Sequence, residues 1–309
     1  MVDQSPPFPS SWIVAQVYGA NVELWDGHAI HEAILARHLK SEAGSRHANP
    51  LAVGDEVEVE PGEPGGPMRV VSIAPRRTFL ERSTGDSRGR TQIIAANATQ
   101  AVIISSLAEP PFRPGLVDRW GLLARRGGLV PVLCLNKVDL GTHEEAERAI
   151  AEAAIPLEAV TVSAENGSGV DRLLELTAGR VSVFVGHSGV GKSSLLRRLI
   201  PNADALVGTV SAKNLKGRHT TTSSRLYPLP GGGIVIDTPG VRSVQLGQTD
   251  VAEVAAVFDE IAEAPPCRFR TCTHRTEPGC SILAGVQSGV VPSAIYARYR
   301  KLLEEAEVK

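Results

Sequence analysis

The chain has 309 residues, a formal net charge of -2 and 42% hydrophobic side chains. That length predicts two or three domains, each able to bury some core, and the balanced charge excludes a chain that is basic throughout, so any nucleic-acid footprint must be local. Apolar runs such as Ala101 to Ile104 and Leu129 to Leu135 are far too short to cross a bilayer, and Met1 to Trp12 lacks a hydrophobic targeting core, which predicts a soluble, cytoplasmic protein.

To about Pro75 the sequence reads as short strands: Trp12 to Tyr18, Asn21 to Trp25, Ala29 to Leu35, Glu56 to Val59 and Arg69 to Ile73, with Asp26-Gly27 as a hairpin signal. Five such strands suit an oligonucleotide-binding (OB) barrel, although the pattern alone equally supports another small β-barrel. Glu56, Glu58 and Glu60 share one strand face by the period of two, predicting an acidic surface unsuited to phosphate. Basic contacts would then come from loops, for example around Arg37, Lys40 and Arg46. Pro61 to Pro67 reads as a turn. Arg76, Arg77, Arg82, Arg88 and Arg90, broken by Glu81 and Asp86, form a basic connector that is either a solvated face or a contact for nucleic-acid phosphate.

From Ile93 the pattern becomes α/β. Strands at Ala101 to Ile104 and Leu129 to Leu135 flank a helical stretch, Leu116 to Arg126, and Glu144 to Ala154 makes the next helix. Asn136-Lys137-Val138-Asp139 stands at the carboxyl end of the second strand, where open α/β sheets place ligands. A carboxylate at Asp139 can accept from guanine N1-H and the exocyclic amine, which adenine does not offer in that arrangement, and sites built this way discriminate strongly. Asn136 can bond the base or tie neighbouring loops, and the Lys137 stem can cover one face of the purine. Val162-Ser163-Ala164 supplies backbone N-H groups, at Ser163 and Ala164, for guanine O6.

The apolar run Val181 to Val185 leads into Gly186-His187-Ser188-Gly189-Val190-Gly191-Lys192-Ser193, with a helix over Ser193 to Leu199. Glycines let backbone N-H groups curl around phosphate oxygens, Lys192 reaches the β and γ phosphates, and the Ser193 hydroxyl ligates Mg²⁺, with Ser194 beside it. Downstream, Ile234-Val235-Ile236 ends in Asp237-Thr238-Pro239-Gly240, where Asp237 is placed to hold Mg²⁺ through water and the Gly240 N-H to sense the γ-phosphate. Between them Lys216-Gly217-Arg218-His219-Thr220-Thr221-Thr222 is a polar run without helical or strand period, the natural switch loop. One of its threonines should complete the Mg²⁺ shell; Thr221 is preferred over its neighbours. Val241 cannot orient a water as a glutamine would, so His219 is the candidate for positioning the attacking water, with Arg218 able to offset charge.

Cys267, Cys272, His274 and Cys280 follow. Three thiolates and an imidazole are the ligand set of a closed structural zinc site; disulfides are the competing account. The fourth cysteine, Cys134, suits a buried strand position. Around the cluster and beyond it, Arg268, Arg270, Arg275, Arg298, Arg300 and Lys301 face only Glu277, the strongest local positive field in the chain. A final helix from about Ser293 puts Ile295, Tyr299, Leu302 and Leu303 on a core stripe, with Arg298 and Lys301 as a basic edge suited to nucleic-acid phosphate.

The guanine-reading element precedes the phosphate loop, inverting the usual GTPase order. Together with Ala95-Ala96-Asn97, Pro110-Pro111-Phe112, Gly217 to Thr222 and the cysteine-histidine cluster, this order resembles the ribosome-small-subunit-dependent GTPase A family, circularly permuted GTPases that assist late maturation of the small ribosomal subunit. The resemblance spans nearly the whole chain. It implies GTP and GDP as substrate and product, Mg²⁺, one structural Zn²⁺, and the small subunit with its rRNA as partner. It further implies slow intrinsic turnover stimulated by that subunit, with nucleotide state controlling association and release. The expected division is an OB-fold-like barrel and basic connector over 1–92, a permuted α/β P-loop GTPase over 93–246 and a small α zinc-binding domain over 247–309. No membrane partner is expected, and nothing requires self-association, so a monomer is expected. Rival readings are a permuted GTPase of the large subunit, a zinc-dependent RNA-binding protein with a merely structural nucleotide site, and an ATP-dependent kinase, the last disfavoured by Asp139.

Overall fold

The computed structural model describes residues 12–42, 49–62, 66–84, 90–153, 158–201, 224–240, 244–247 and 249–307. Five N-terminal strands, β1 (Trp12–Tyr18), β2 (Asn21–Trp25), β3 (Ile30–Leu35), β4 (Glu56–Glu60) and β5 (Met68–Ile73), run in the order β1-β2-β3-β5-β4, and β4 returns to β1 to close the barrel. Val14, Val22, Leu24, Ala33, Leu35, Val57 and Val70 fill its interior by the alternation of strand side chains. At the β2-β3 hairpin Asp26 Oδ1 accepts from the amides of His28 and Ala29 at 2.8 and 2.7 Å. These amide bonds lead in holding its carboxyl at a pKa of about 2.

The expected acidic face is not continuous. Glu58 and Glu60 are exposed as expected, but Glu56 is only 8% exposed and paired with Arg77 at 2.5 Å. The basic connector is likewise partly spent at home. Arg76 donates from Nε and Nη2 to the two carboxylate oxygens of fully buried Asp55, at 2.6 and 2.7 Å, and Nη2 also reaches the Pro50 carbonyl. Arg76 and Arg77 are therefore barrel fasteners and not a free phosphate contact; Arg46 and Arg88 lie outside the described residues.

A hairpin of β6 (Phe79–Ser83) and β7 (Thr91–Ala96) leads to a second body of sheet and helix. It contains β8 (Gln100–Ser106), α2 (Pro114–Arg126; α1 is the short helix Arg37–Glu42), β9 (Val130–Asn136), α3 (His143–Glu152), β10 (Glu158–Thr161), α4 (Val170–Thr177), β11 (Val181–Gly186), α5 (Lys192–Leu199), β12 (Arg225–Pro228) and β13 (Ile234–Asp237). The sheet order is β10-β9-β8-β11-β13-β12, parallel except for β12. The runs of Val, Ile and Leu in β8, β9, β11 and β13 are buried on both faces, as a parallel sheet sandwiched by helices requires. At its edge β12 also pairs with barrel strand β1 through Gln16 and Arg225, and Arg225 meets buried Glu23 of β2 at 3.0 Å.

The C-terminal helices are α6 (Val251–Ala255), α7 (Asp259–Ala262), α8 (Ser281–Ser288) and α9 (Ser293–Glu307); α6 packs on α2 and also against α7 and α9. Tyr299, Leu302 and Leu303 of α9 are buried with Phe258 and Trp120 in one cluster, so the expected core stripe is present. The expected basic edge is half consumed. Arg298 donates from Nε to fully buried Asp118 of α2 at 2.7 Å and from its terminal nitrogens to Asp118 and to the Glu152 carbonyl, which makes it a strut between modules. Lys301 remains exposed. Among the described residues no helix is long and apolar enough to cross a membrane.

Replacing Arg76 by alanine strands a buried carboxylate. The expected cost is about 3 kcal/mol of unfolding free energy, read from urea denaturation, and lysine at this position should recover only part of it because it cannot engage both oxygens.

Candidate nucleotide site and metal cluster

β8, β9 and β11 are parallel neighbours, so their carboxyl ends deliver three loops to one edge of the sheet. The loop after β11 is Gly186 to Gly191. Gly191 adopts φ 95°, and a Cβ there would lie 2.2 Å from Asn136 Nδ2; at Gly186, φ 153°, it would lie 2.2 Å from the Ile104 carbonyl oxygen. Both positions need glycine because neighbouring loops press on the backbone. Lys192, only 7% exposed, donates to the Gly186 carbonyl at 3.0 Å and lies 3.4 Å from that of His187, folded back over the loop. The Ser193 hydroxyl-bearing residue is exposed at the start of α5, with Ser194 partly covered beside it.

Asn136 ends β9 and is completely buried. Its Nδ2 donates to the Val190 carbonyl at 2.8 Å and its Oδ1 accepts from the Ala164 amide at 3.0 Å. One side chain thus joins the phosphate loop to the Val162 to Ala164 segment. Lys137 follows in the left-handed region, φ 61°, and its Nζ donates to the Glu109 carbonyl. Val138 is half-buried, Asp139 is exposed at the mouth, and Ser163 is buried with its hydroxyl accepting from the Asn166 amide at 3.2 Å. These residues stand together beside the phosphate loop.

At the end of β13, Asp237 is 4% exposed, and its Oδ1 has no hydrogen-bond partner. Burial pushes its pKa up to about 6 against the pull of Lys192, and burial likewise lowers the Lys192 amine. A buried carboxylate oxygen without a donor, facing a buried ammonium, is a site short of a cation and of phosphate oxygens; hard oxygen donors of this kind fit Mg²⁺. Thr238 donates to the Phe184 carbonyl at 2.7 Å, fixing the strand end, and Gly240 lies so near the loop that a Cβ would be 3.2 Å from Lys192 Nζ. His219, Thr221 and the rest of the expected switch segment lie outside the described residues.

The ligand atoms of Cys267, Cys272, His274 and Cys280 all lie within 4.8 Å of one another. Cys267 Sγ is 3.9 Å from Cys280 Sγ, and His274 Nδ1 is 3.4 Å from both sulfurs. Tetrahedral zinc with bonds of about 2.0 to 2.3 Å separates its ligands by roughly 3.5 to 3.8 Å, so the donor set and spacing fit this metal. All four cysteines are free thiols, which removes the disulfide account. Burial lowers the His274 pKa and so favours the neutral imidazole that binds metals. The Tyr296 hydroxyl holds the His274 carbonyl at 2.7 Å, and amides of Ser281 and Leu283 point at Cys267 and Cys280 sulfurs.

A sequence profile of the RsgA GTPase family matches residues 73–247. The chain belongs to that family. A relative from Chlorobaculum parvum, named small ribosomal subunit biogenesis GTPase RsgA, is 37% identical over 96% of this chain and 98% of its own. One of the same name from Azotobacter vinelandii is 42% identical over 82% of this chain and 74% of its own. The crystal structure of YjeQ from Thermotoga maritima superposes with a TM-score of 0.72 at 26% identity, covering 97% of this chain and 99% of that one. That of YloQ, described as a circularly permuted GTPase, gives 0.68 at 22% over 99% of this chain and 97% of that one, a likeness of fold.

Two contributors to the family site were not visible in the motifs. Arg198 of α5 donates to the Ala164 carbonyl at 2.8 Å and to that of Glu165, clamping the base-side loop to the helix that follows the phosphate loop. The Glu109 carbonyl receives Lys137, and the neighbouring Pro110 carbonyl receives the Ser106 hydroxyl at 2.6 Å. Neither leaves a residue-type signature, since both work through main-chain oxygens.

Asn136→Ala removes a buried donor and a buried acceptor at once. Guanine-nucleotide affinity should fall at least about ten-fold, measured by titration with a fluorescent GDP, while the melting transition stays cooperative.

Proposed function

We propose that this chain hydrolyses GTP during biogenesis of the small ribosomal subunit, and that nucleotide state sets its hold on that subunit. The observation that carries this is the Asn136 amide, which links the guanine-reading and phosphate loops although their order in the chain is inverted. The names of the relatives supply the ribosomal context. We take the functional division to be 1–92, 93–246 and 247–309, acting as a monomer in the cytoplasm, where ribosomes are assembled.

In this reading Asp139 accepts from guanine N1-H and the exocyclic amine, Lys137 covers the ring, and the amides of Ser163 and Ala164 face O6. Both amides are already engaged, that of Ser163 with the Ser168 carbonyl at 2.9 Å and that of Ala164 with Asn136, so these bonds must be shared or rearranged when a base enters. Backbone amides from Gly186 to Ser194, including those of His187, Ser188, Gly189, Val190 and Gly191, cradle the phosphates with Lys192. Ser193, Thr221 and, through water, Asp237 would hold Mg²⁺, which supplies charge neutralisation between the β and γ phosphates. His219 orients the water. As the water oxygen bonds to phosphorus, the bond to the β-phosphate oxygen breaks, GDP carries the electron pair away, and the water's proton passes to phosphate or solvent. Gly240 loses its γ-phosphate contact at that point.

Arg126 gives this change a route outward. It donates to the Leu246 carbonyl, six residues past Gly240, at 2.9 Å, and to Glu253 of α6 at 3.0 Å, so the segment after the γ-phosphate sensor and the C-terminal module share one guanidinium. Zn²⁺ on Cys267, Cys272, His274 and Cys280 would fix that module, and its exposed cations would meet rRNA phosphate.

The deciding experiment is phosphate release titrated separately with purified small and large subunits. Stimulation by the small subunit alone is expected; stimulation by neither, with GTP bound, would return the chain to an RNA-binding protein with a structural nucleotide site. His219→Ala should keep GTP affinity and lose stimulated turnover by about 100-fold or more. Metal analysis of chain purified without chelator should give one zinc per molecule, and Cys272→Ser should lose it together with several degrees of thermal stability.

A further inference from the structure

Between the first two cluster cysteines, Arg268, Phe269, Arg270 and Thr271 are exposed in succession. Phe269 is 44% exposed and belongs to none of the hydrophobic clusters. An exposed aromatic is unremarkable alone, but this one is held rigidly and dressed in positive charge. Its carbonyl accepts from the Cys272 amide at 3.2 Å, and the Arg268 amide donates to the Gly279 carbonyl at 3.1 Å, so the turn is pinned from both flanks by the cluster. A Cβ at Gly279 would lie 3.0 Å from Arg268 Cβ, which shows how closely the Arg268 stem is seated. The Arg268 guanidinium carbon stands 5.5 Å from the Phe269 ring centroid.

The cations beside the ring are not spent on carboxylates. Neither Arg268 nor Arg270 meets a carboxylate among the described residues. Glu277, the one acid in this part of the chain, is turned inward. It accepts from the amides of Thr273, Arg275 and Thr276 at 2.7, 2.8 and 3.0 Å and from the Thr273 hydroxyl, contacts that hold its carboxyl well below the usual range.

We propose that Phe269, flanked by Arg268 and Arg270, is a stacking platform for an unpaired RNA base whose adjoining phosphates the two arginines neutralise. This rests on the ribosomal reading above and adds to it the strand state of the RNA at this contact. An exposed ring with one guanidinium carbon 5.5 Å from its centroid and a second arginine next in sequence suits a base with its adjoining phosphates, and stacking on aromatic rings is how proteins hold bases that have left a duplex. A duplex offers no such face. A protein partner would be served by the aromatic ring, but two guanidinium groups without carboxylate partners favour a polyanion.

The test uses the full zinc-loaded chain and two probes, a labelled unstructured RNA 12-mer and an RNA duplex of equal length, followed by fluorescence anisotropy. Phe269→Ala should weaken the single strand about ten-fold or more with little change for the duplex, and Phe269→Tyr should restore it. Arg270→Ala should weaken binding and flatten the salt dependence by about 0.7 in log-log slope. Zinc content and basal GTP turnover of Phe269→Ala should match wild type, showing the module is folded. Wild-type affinity of Phe269→Ala for the 12-mer overturns the proposal, as does an equal loss for both probes. Loss of small-subunit affinity with the 12-mer unaffected would assign the ring to a protein contact and overturn stacking. A wild-type chain that binds the 12-mer through Phe269 but no ribosomal subunit would sink the ribosomal reading and leave the platform standing.

Discussion

The structure depends on a single buried amide. Asn136 is inaccessible to solvent, and its side chain reaches the Val190 carbonyl on one side and the Ala164 amide on the other. A carboxamide is the shortest side chain that presents a donor and an acceptor in a fixed plane, and in a dry site each bond is costly to leave unmade. The close approach it enforces explains the glycine at Gly191, where any side chain would strike the amide nitrogen. Chain order is irrelevant to such a contact. The parallel pairing of β8 with both β9 and β11 brings the loops together whichever is made first, and the inversion is absorbed by where the chain enters and leaves the same sheet.

Residue chemistry made the site legible in the sequence wherever a ligand dictates the side chain. Phosphate demands glycines and a lysine, guanine demands a carboxylate, and a soft divalent metal demands thiolates, so Gly186 to Ser193, Asp139 and the Cys267 to Cys280 cluster stand out before any folding is considered. The barrel strands were legible by alternation, and β8, β9, β11 and β13 by their unbroken apolar runs. The short strands β10 and β12 were not. β12 begins with an arginine that is 9% exposed, and its burial is permitted only because Glu23, distant in sequence, lies opposite.

Arginines were the main source of misreading, for the same reason. A charge count gives sign but not partner. Arg76 and Arg298 look like surface cations until the fold sets Asp55 and Asp118 against them, the second across 180 residues of sequence. Asp118 sits on the buried side of α2, where helical periodicity would ask for an apolar residue, and that violation is the one sequence trace of the strut. The acidic strand face lost its first member in the same way, since Glu56 is covered and paired with Arg77, while Glu58 and Glu60 stay exposed.

Strand β12 is antiparallel to its neighbour and shared between two bodies: it pairs with β13 in the nucleotide sheet and with β1 of the barrel, and Arg225 plants its first residue against β2. Arg225 pairs with Gln16 on one side and Asp237 on the other, so one strand ties the two bodies together. A load on the barrel at β1 is thus carried straight into β13, which ends at Asp237, without passing through a loop.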